Sequence, residues 1–186
     1  KNAAPTRKEK ASSQIKIVLE HVEILKTYQK IIQEKQVPLR VMHHDTKISN
    51  VLFNNAGKSL CMVDLDTVMP GYFLSDLGDM MRTYLSPASE EETDLNRIII
   101  RPDFYQAIIH GYLSEMETVL TSAEKQYFFY AGKMMMYMQG LRFLTDFLIG
   151  DIYYPVTYPD QNLFRAKNQF TLLKRFMLME NRLTIL

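Results

Sequence analysis

Apolar residues recur at helical spacing along most of this chain, and this constrains its fold more than any other feature. The first stripe begins after Ser13, ends before the Val37-Pro38 step, and consists of Ile15, Val18, Val22, Leu25, Tyr28 and Ile32. Steps of three and four residues are typical of an amphipathic helix. Similar patterns predict helices near residues 76–86, 103–118, 122–149 and 161–180.

The helical pattern is interrupted between residues 39 and 71. Short extended segments are predicted here at Leu39–Met42, Val51–Phe53 and Ser59–Val63. The last two are separated by Asn54-Asn55-Ala56-Gly57, a hairpin signal because these residues tolerate a positive φ. Met69-Pro70-Gly71 predicts a turn. The predicted fold class is therefore α+β and mostly helical, with a small β-hairpin region that carries polar loops.

The ends and loops of the chain are polar. Residues 1–12 have few large apolar side chains, and we expect a linker or disordered terminus there. Residues 13–186 are then one domain, a size that fits a single hydrophobic core. The acidic triplet Glu90-Glu91-Glu92 predicts a solvated loop.

Composition narrows the classes of function. Lys and Arg number 22 against 21 Asp and Glu, which argues against a protein that wraps nucleic acid. The single cysteine, Cys61, cannot form an intrachain disulfide or a cysteine-based zinc site, so a reducing, cytoplasmic compartment is expected. No apolar stretch approaches the roughly 20 residues of a membrane span, so neither nucleic acid nor a membrane is an expected partner.

The polar, aperiodic segment 43–50 lies between two predicted strands. It places Asp45 and Asn50 five residues apart, and the hairpin then leads to Asp64 and Asp66. Phosphoryl transfer from a nucleotide needs a carboxylate that accepts the proton of the substrate hydroxyl, and oxygen ligands for Mg²⁺. Any one of these residues alone is explained as well by a turn, but the whole set in this order favours a phosphotransfer site.

These residues carry a family resemblance. His43-x-Asp45-x-x-x-x-Asn50 followed by Val63-Asp64-Leu65-Asp66 resembles the catalytic and metal loops of the C-terminal lobe of the protein-kinase-like fold. The acidic Asp66 is more typical of its small-molecule branch, the aminoglycoside phosphotransferase and choline kinase family. Within that branch, Asp64–Gly71, Asp76–Arg82 and Asn162–Gln169 are similar to N-acetylhexosamine 1-kinases, whose homologues are also labelled mucin desulfatases. The resemblance covers about residues 39–175.

The resemblance implies a reaction and its cofactors. It implies ATP-dependent transfer of a phosphoryl group to a small-molecule hydroxyl, with an amino sugar as the expected substrate. Asp45 corresponds to the catalytic base, and Lys47 either approaches the γ-phosphate or is a solvated loop lysine. Asn50 and Asp64 correspond to Mg²⁺ ligands, and Asp66 to a third.

Other residues have supporting or substrate-side roles. In the family, the counterparts of His43 and Asp76 support the catalytic loop. Substrate-side candidates are His44, where relatives often have a small residue, and Asp79 and Arg82, which otherwise form a helix pair at i, i+3. A second group of substrate-side candidates lies in a proline-bounded loop, where aromatic rings can stack on a sugar: Tyr153 and Tyr154.

Parts of the kinase-like fold are not found in this sequence. The seven glycines stand at positions 57, 71, 78, 111, 132, 140 and 150, so there is no glycine-rich phosphate loop. In the family that loop lies in a small N-terminal lobe. Because the first residue is Lys1 and not Met, we expect the chain to be the C-terminal lobe, with the N-terminal lobe as its missing partner and with little activity alone.

Two other functions are compatible with parts of the sequence. A degenerate kinase lobe can serve as a binding module, although the presence of Asp45, Asn50 and Asp64 speaks against degeneration. A metal-dependent phosphohydrolase could be built on His44-Asp45, but it would need further histidine ligands. Only His21 and His110 remain for that purpose, and the strand-flanked hairpin does not fit such an all-helical fold.

Overall fold

The structure is a computed structural model that describes residues 3–183. The helices are α1 (Pro5–Lys10), α2 (Ser12–Glu20), α3 (Glu23–Gln33), α4 (Leu74–Tyr84), α5 (Pro102–Met116), α6 (Ser122–Gln126), α7 (Phe128–Ile149), α8 (Gln161–Leu178) and α9 (Glu180–Leu183). The strands are β1 (Arg40–Met42), β2 (Val51–Phe53), β3 (Ser59–Met62) and β4 (Met69–Gly71). The predicted fold class, mostly helical α+β, is confirmed. Within residues 3–183, no helix combines the length and the hydropathy that a membrane crossing requires.

The core is built around α7, which packs against both α4 and α8. Residues on all sides of α7 are buried, as expected for a helix enclosed by its neighbours. The backbones of α4 and α7 approach closely at Gly78, where a Cβ atom would collide with the carbonyl oxygen of Ala131. This contact fixes α4 against the core, and α4 in turn carries Asp76, Asp79 and Arg82.

The two longest predicted helices are each divided in the structure. The first breaks at His21 and Val22, and Val22 is exposed although it belongs to the predicted stripe. Two tyrosine hydroxyls of α7 donate hydrogen bonds to backbone carbonyls on either side of this break. Tyr137 donates to the carbonyl of Val18, and Tyr130 donates to the carbonyl of Ile24. The second breaks at Tyr127, after the short helix α6, whose predicted capping box at Thr121 is present.

The N-terminal segment is not the predicted linker. Pro5 occupies the first turn of α1, where its missing N–H leaves no bond unmade. The Arg7 guanidinium donates to the Asp151 carboxylate at 2.6 Å and to the Phe147 carbonyl at 2.5 Å. Contacts with residues far along the chain therefore order a segment whose local sequence is polar. Residues 1 and 2 lie outside the described residues.

The β region consists of two antiparallel pairs. The predicted hairpin of β2 and β3 is present, and the Asn54 side chain accepts the amides of Ala56 and Lys58 in its turn. The pair of β1 and β4 was not predicted, because Met69-Pro70-Gly71 has the sequence of a turn. In the structure these residues form β4, and Arg40 of β1 is opposite Gly71. Pro70 is tolerated since the sheet has only two strands and its missing N–H can face outward. The segment 43–50 thus runs from β1 to β2, and 63–68 runs from β3 to β4.

Candidate active site

Asp45 is held by two neighbours in the loop between β1 and β2. The side-chain amide of Asn50 donates to the Asp45 carboxylate at 2.8 Å and to the Asp45 carbonyl at 2.9 Å. The Lys47 ammonium forms an ion pair with the same carboxylate at 2.6 Å. This bond with Asp45 raises the pKa of Lys47 above its ordinary value, so Lys47 stays protonated at neutral pH. The structure therefore brings together the predicted base, the predicted lysine and one predicted metal ligand.

Asp76 supports this loop from α4. Its carboxylate accepts the backbone amides of His43 at 2.8 Å and His44 at 2.7 Å. Its carbonyl accepts the Thr46 hydroxyl at 2.9 Å. The loop that precedes and follows Asp45 is thus fixed to a helix of the core.

The two histidines of the loop have different surroundings. His43 is buried, its ring contacts the Val63 carbonyl at 3.1 Å, and its own carbonyl accepts the Thr67 hydroxyl. His43 therefore links the two polar loops. His44 has a φ of 67°, a region that favours glycine, and its ring stands directly over Gly71. Among the described residues, its buried Nε2 atom has no hydrogen-bond partner.

Asp64 and Asp66 lie in the loop after β3. The Val63 amide donates to the Asn50 carbonyl at 2.9 Å, which holds this loop beside Asn50. Asp64 has a φ of 63°, and Asp64 and Asp66 are both exposed. Within residues 3–183 neither carboxylate has a hydrogen bond or an ion pair, so both can accept a cation.

The donor set suits Mg²⁺. Carboxylate and amide oxygens are hard ligands, which Mg²⁺ prefers, and the ion often takes its remaining ligands from phosphate and water. Within the described part of the chain, no three His, Cys, Asp or Glu side chains are grouped closely enough to hold a metal by themselves. Asn50 and Asp64, with Asp66 nearby, could hold the ion only together with ligands from a bound nucleotide.

Asp79 and Arg82 form the helix pair that the sequence allowed, at 2.8 Å. Arg82 also pairs with Glu90 at 2.8 Å, and Glu90 comes from the loop between α4 and α5. Burial raises the pKa of Asp79 above its ordinary value, and the Arg82 guanidinium offsets only part of this effect. Burial lowers the pKa of Arg82, but the two carboxylates outweigh burial and leave it above its ordinary value. Asp79 lies 3.5 Å from the Thr46 hydroxyl, so this pair adjoins the loop between β1 and β2.

A cavity of about 640 Å³ opens beside Lys47. Of the predicted site residues, it is lined by Lys47 and Arg82. The sequence did not assign a site role to the other polar and aromatic residues that line it, although Asn168 and Gln169 belong to the segment Asn162–Gln169 that carries the resemblance. These lining residues include Ser49, Tyr84, Ser86, Glu90, Arg101, Phe104, Asn168 and Gln169. Their positions depend on contacts between α4, α5 and α8, which are distant in sequence. The predicted loop at the acidic triplet is present and Glu91 is exposed, but the sequence did not indicate that Glu90 lines a cavity.

Glu90, Glu91 and Glu92 are each paired with a different arginine. Glu90 pairs with Arg82 and Glu92 with Arg97. Glu91 accepts a hydrogen bond from Arg165 of α8 at 2.5 Å. The triplet therefore ties the loop between α4 and α5 to its surroundings.

Tyr153 and Tyr154 lie outside the lining of this cavity. Tyr153 is 71% exposed, and Tyr154 packs against Phe143 of α7 with ring centroids 4.7 Å apart. Their loop follows α7. The Arg142 guanidinium lies 5.5 Å from the Tyr154 ring centroid and 5.8 Å from that of Tyr153.

The fold and the loop geometry define a class of protein. A helical lobe presents a carboxylate with an adjacent ammonium group and amide, next to open carboxylates on a neighbouring loop. This is the arrangement of the C-terminal lobe of kinase-like phosphotransferases, whose catalysis depends on positioning and charge. Residues 4–120 match the phosphotransferase enzyme family, abbreviated APH, and the chain belongs to that family. The match includes both polar loops and ends before α6.

Proposed function

We propose that this chain is the catalytic lobe of an ATP- and Mg²⁺-dependent kinase that phosphorylates a hydroxyl of an N-acetylhexosamine. The observation that carries the proposal is the contact of Asp45 with both Asn50 and Lys47 at the edge of a cavity. Membership of the phosphotransferase family supports the reaction class. The choice of sugar rests on the resemblance of the sequence motifs.

Asp45 acts as the general base in this proposal. Its carboxylate orients the acceptor hydroxyl and takes its proton as the phosphoryl group is transferred. Lys47 supplies positive charge for the transferred group. Asn50 and Asp64 hold Mg²⁺, with Asp66 as a further ligand, and the bound ion neutralises charge on the nucleotide phosphates.

The charges around the cavity support a neutral acceptor. The three cations are Lys47, paired with Asp45; Arg82, paired with Asp79 and Glu90; and Arg101, whose guanidinium donates to backbone carbonyls. Only one of the three paired carboxylates, Glu90, lines the cavity itself, so the lining carries no excess of negative charge that would attract a cationic aminoglycoside or choline. Neutral groups such as the Ser49 and Ser86 hydroxyls are suited to a sugar.

Further substrate contacts are proposed for residues that do not line the cavity. His44 and Asp79 adjoin the catalytic loop, and Tyr153 and Tyr154 offer aromatic rings next to Arg142. We place the enzyme in the cytoplasm, where ATP is available and Cys61 stays reduced. The sequence has no glycine-rich loop, so we propose that a separate N-terminal lobe covers the phosphates.

The test is an ATP-consumption assay with N-acetylglucosamine, N-acetylgalactosamine, choline and an aminoglycoside as acceptors. It is run on residues 1–186 and on a form extended by any residues that the gene encodes before Lys1. We expect Mg²⁺-dependent turnover with an N-acetylhexosamine in the extended form and little turnover in the shorter one. Equal turnover in both forms would contradict the need for a second lobe. Turnover in neither form would favour the binding module.

A further inference from the structure

The loop between α7 and α8 is bounded by two aspartates in an unusual conformation. Asp151 has a φ of 59° and Asp160 a φ of 64°, values in the left-handed region that non-glycine residues rarely adopt. Asp160 directly precedes α8. The chain therefore changes direction at both ends of this loop, which carries Tyr153 and Tyr154.

Each of these aspartates is paired with a basic residue of α1. Arg7 contacts Asp151 at 2.6 Å, and Lys10 contacts Asp160 at 2.6 Å. Arg7 and Lys10 are three residues apart, so they lie on the same face of the helix. The Arg7 guanidinium also lies 4.8 Å from the centroid of the Phe147 ring. Helix α1 thus spans the base of the loop and binds both of its ends.

The first half of the loop has an additional support from within the core. The buried Asp146 carboxylate accepts the amides of Ile152, Tyr153 and Tyr154 at 2.8–3.0 Å. The second half has no comparable anchor in the described part of the chain. Its contacts are those of Thr157 with the Gln161 side chain, of Tyr158 with the Phe164 ring and of Asp160 with Lys10.

Two residues of α8 also connect the loop to the segment next to the cavity. Arg165 donates to the Pro155 carbonyl at 3.2 Å and to Glu91 at 2.5 Å. The Gln161 amide donates to the other oxygen of Glu91 at 2.9 Å. Glu91 is adjacent to Glu90, which lines the cavity. A displacement of the loop would therefore shift the segment around Glu90, which forms one side of the cavity.

We propose that α1 is a clamp, and that Arg7 and Lys10 are positioning residues that hold residues 151–160 against the acceptor side of the site. Its effect on catalysis rests on the proposed function. The sequence match to the family includes α1 but not the loop, which lies beyond residue 120. The clamp thus joins a part of the chain that precedes the catalytic loop to one that follows it.

The test compares three double variants with wild type, all made in the form extended by the residues that the gene encodes before Lys1. Arg7→Ala/Lys10→Ala removes both loop contacts, and Arg7→Lys/Lys10→Arg keeps both charges. The matched control Lys16→Ala/Lys26→Ala also removes two helical cations, whose partners Glu20 and Glu23 lie on their own helices. Amide hydrogen exchange is measured for peptides within residues 151–160, and KM and kcat are measured for the acceptor and for ATP.

We expect exchange in residues 156–160 to accelerate about 3- to 10-fold in Arg7→Ala/Lys10→Ala, a range that one part-buried and one exposed ion pair can supply. Acceptor KM should rise by a similar factor, while kcat and the KM for ATP stay within about twofold of wild type. The control should match wild type, and Arg7→Lys/Lys10→Arg should recover most of both effects.

Unchanged exchange in the alanine variant would overturn the clamp. Faster exchange with unchanged acceptor KM would overturn its role at the site. If the extended wild type shows no phosphotransfer at all, the proposed function fails instead. The clamp is still tested in that case, because hydrogen exchange does not require activity.

Discussion

The side-chain amide of Asn50 donates to the carboxylate of Asp45 at 2.8 Å. The contact uses the nitrogen of the Asn50 amide, so its oxygen is not consumed by Asp45 and can serve as a metal ligand. It also restricts the rotation of the Asp45 carboxylate, which Lys47 contacts as well. A fixed carboxylate costs less reorganisation when an acceptor hydroxyl binds. Asn50 therefore contributes to the orientation of Asp45, the proposed base, in addition to its proposed contact with metal.

Replacing the base tests this assignment directly. Asp45→Asn keeps the shape of the side chain but removes its capacity to take a proton, so kcat should fall by about 10²- to 10⁴-fold. ATP binding should be retained, because the groups proposed to hold Mg²⁺ are unchanged. The measurements are kcat with a saturating sugar and the Kd for ATP. Asp103→Asn, an exposed change at the start of α5, is the control. Phosphorylation near the wild-type rate in Asp45→Asn would refute the role.

Removing a proposed metal ligand should have a different signature. Asp64→Ala should abolish the Mg²⁺-dependent part of ATP binding together with turnover, because Mg²⁺ depends on few protein ligands and each one matters. Titration calorimetry of ATP with and without Mg²⁺ separates this effect from that of Asp45→Asn. Asp103→Ala serves as the control. Stoichiometric, tightly bound zinc in the purified protein, with turnover independent of Mg²⁺, would contradict the proposed site.

The sequence predicted what depends on local pattern. The spacing of apolar residues predicted α4, α5 and α8 to within a few residues, because an amphipathic helix shows its buried face in its own sequence. The order of Asp45, Asn50 and Asp64 also predicted that these residues lie on neighbouring loops, since all three belong to one hairpin region. These features need no knowledge of distant contacts.

The rest depended on contacts between distant segments. Residues 5–10 are too polar to predict an ordered helix, and Arg7 is ordered by Asp151, 144 residues away. Pro70 argues for a turn, but pairing of Arg40 with Gly71 makes it part of a strand. The cavity lining could not be predicted either, because it combines the catalytic loop with α8. Pairing partners such as Arg82 and Glu90 are visible only when the helices are packed.

The position of the His44 ring should allow only glycine at position 71. A Cβ atom at position 71 would lie 2.5 Å from the His44 Nε2 atom, so Gly71→Ala should lower the free energy of unfolding by about 1–3 kcal/mol. His44→Gly removes the ring and relieves the positive φ, and in that background Gly71→Ala should cost little. Urea unfolding of wild type, the two single variants and the double variant gives the coupling energy between positions 44 and 71, expected at about 1–2 kcal/mol.

Gly111 provides the matched control for this cycle. It lies on α5 with nothing near the position that a Cβ atom would take. Gly111→Ala should therefore stabilise the protein by about 0.5–1 kcal/mol through helix propensity. If Gly71→Ala lowers the free energy of unfolding by the same amount with and without the His44 ring, a clash with that ring is not the cause of the loss.

The buried pair of Glu124 and Arg40 should make stability depend on pH. The fully buried Glu124 carboxylate accepts two hydrogen bonds from Arg40, at 2.7 and 2.8 Å, and one from the Thr121 amide at 2.7 Å. Burial alone would raise the pKa of Glu124, but the bonds from Arg40 and Thr121 outweigh it and hold the pKa below its ordinary value of 4.5. The unfolded chain therefore binds the proton more readily than the folded one.

This difference fixes the sign of the pH dependence. The contribution of Glu124 is fully present above pH 4.5 and is lost as pH falls through the lower, folded pKa. Glu124→Gln cannot ionise, so it should be about 1–3 kcal/mol less stable than wild type at pH 7, and the deficit should shrink toward acid. Urea unfolding at about pH 7, 4.5 and 3.5 measures this difference in stability. Because variant and wild type are compared at the same pH, the contributions of other titrating groups such as Asp79 cancel. Glu115→Gln, an exposed change on α5, should track wild type throughout. A deficit for Glu124→Gln that is the same at all three pH values would mean that the ionised pair is not its source.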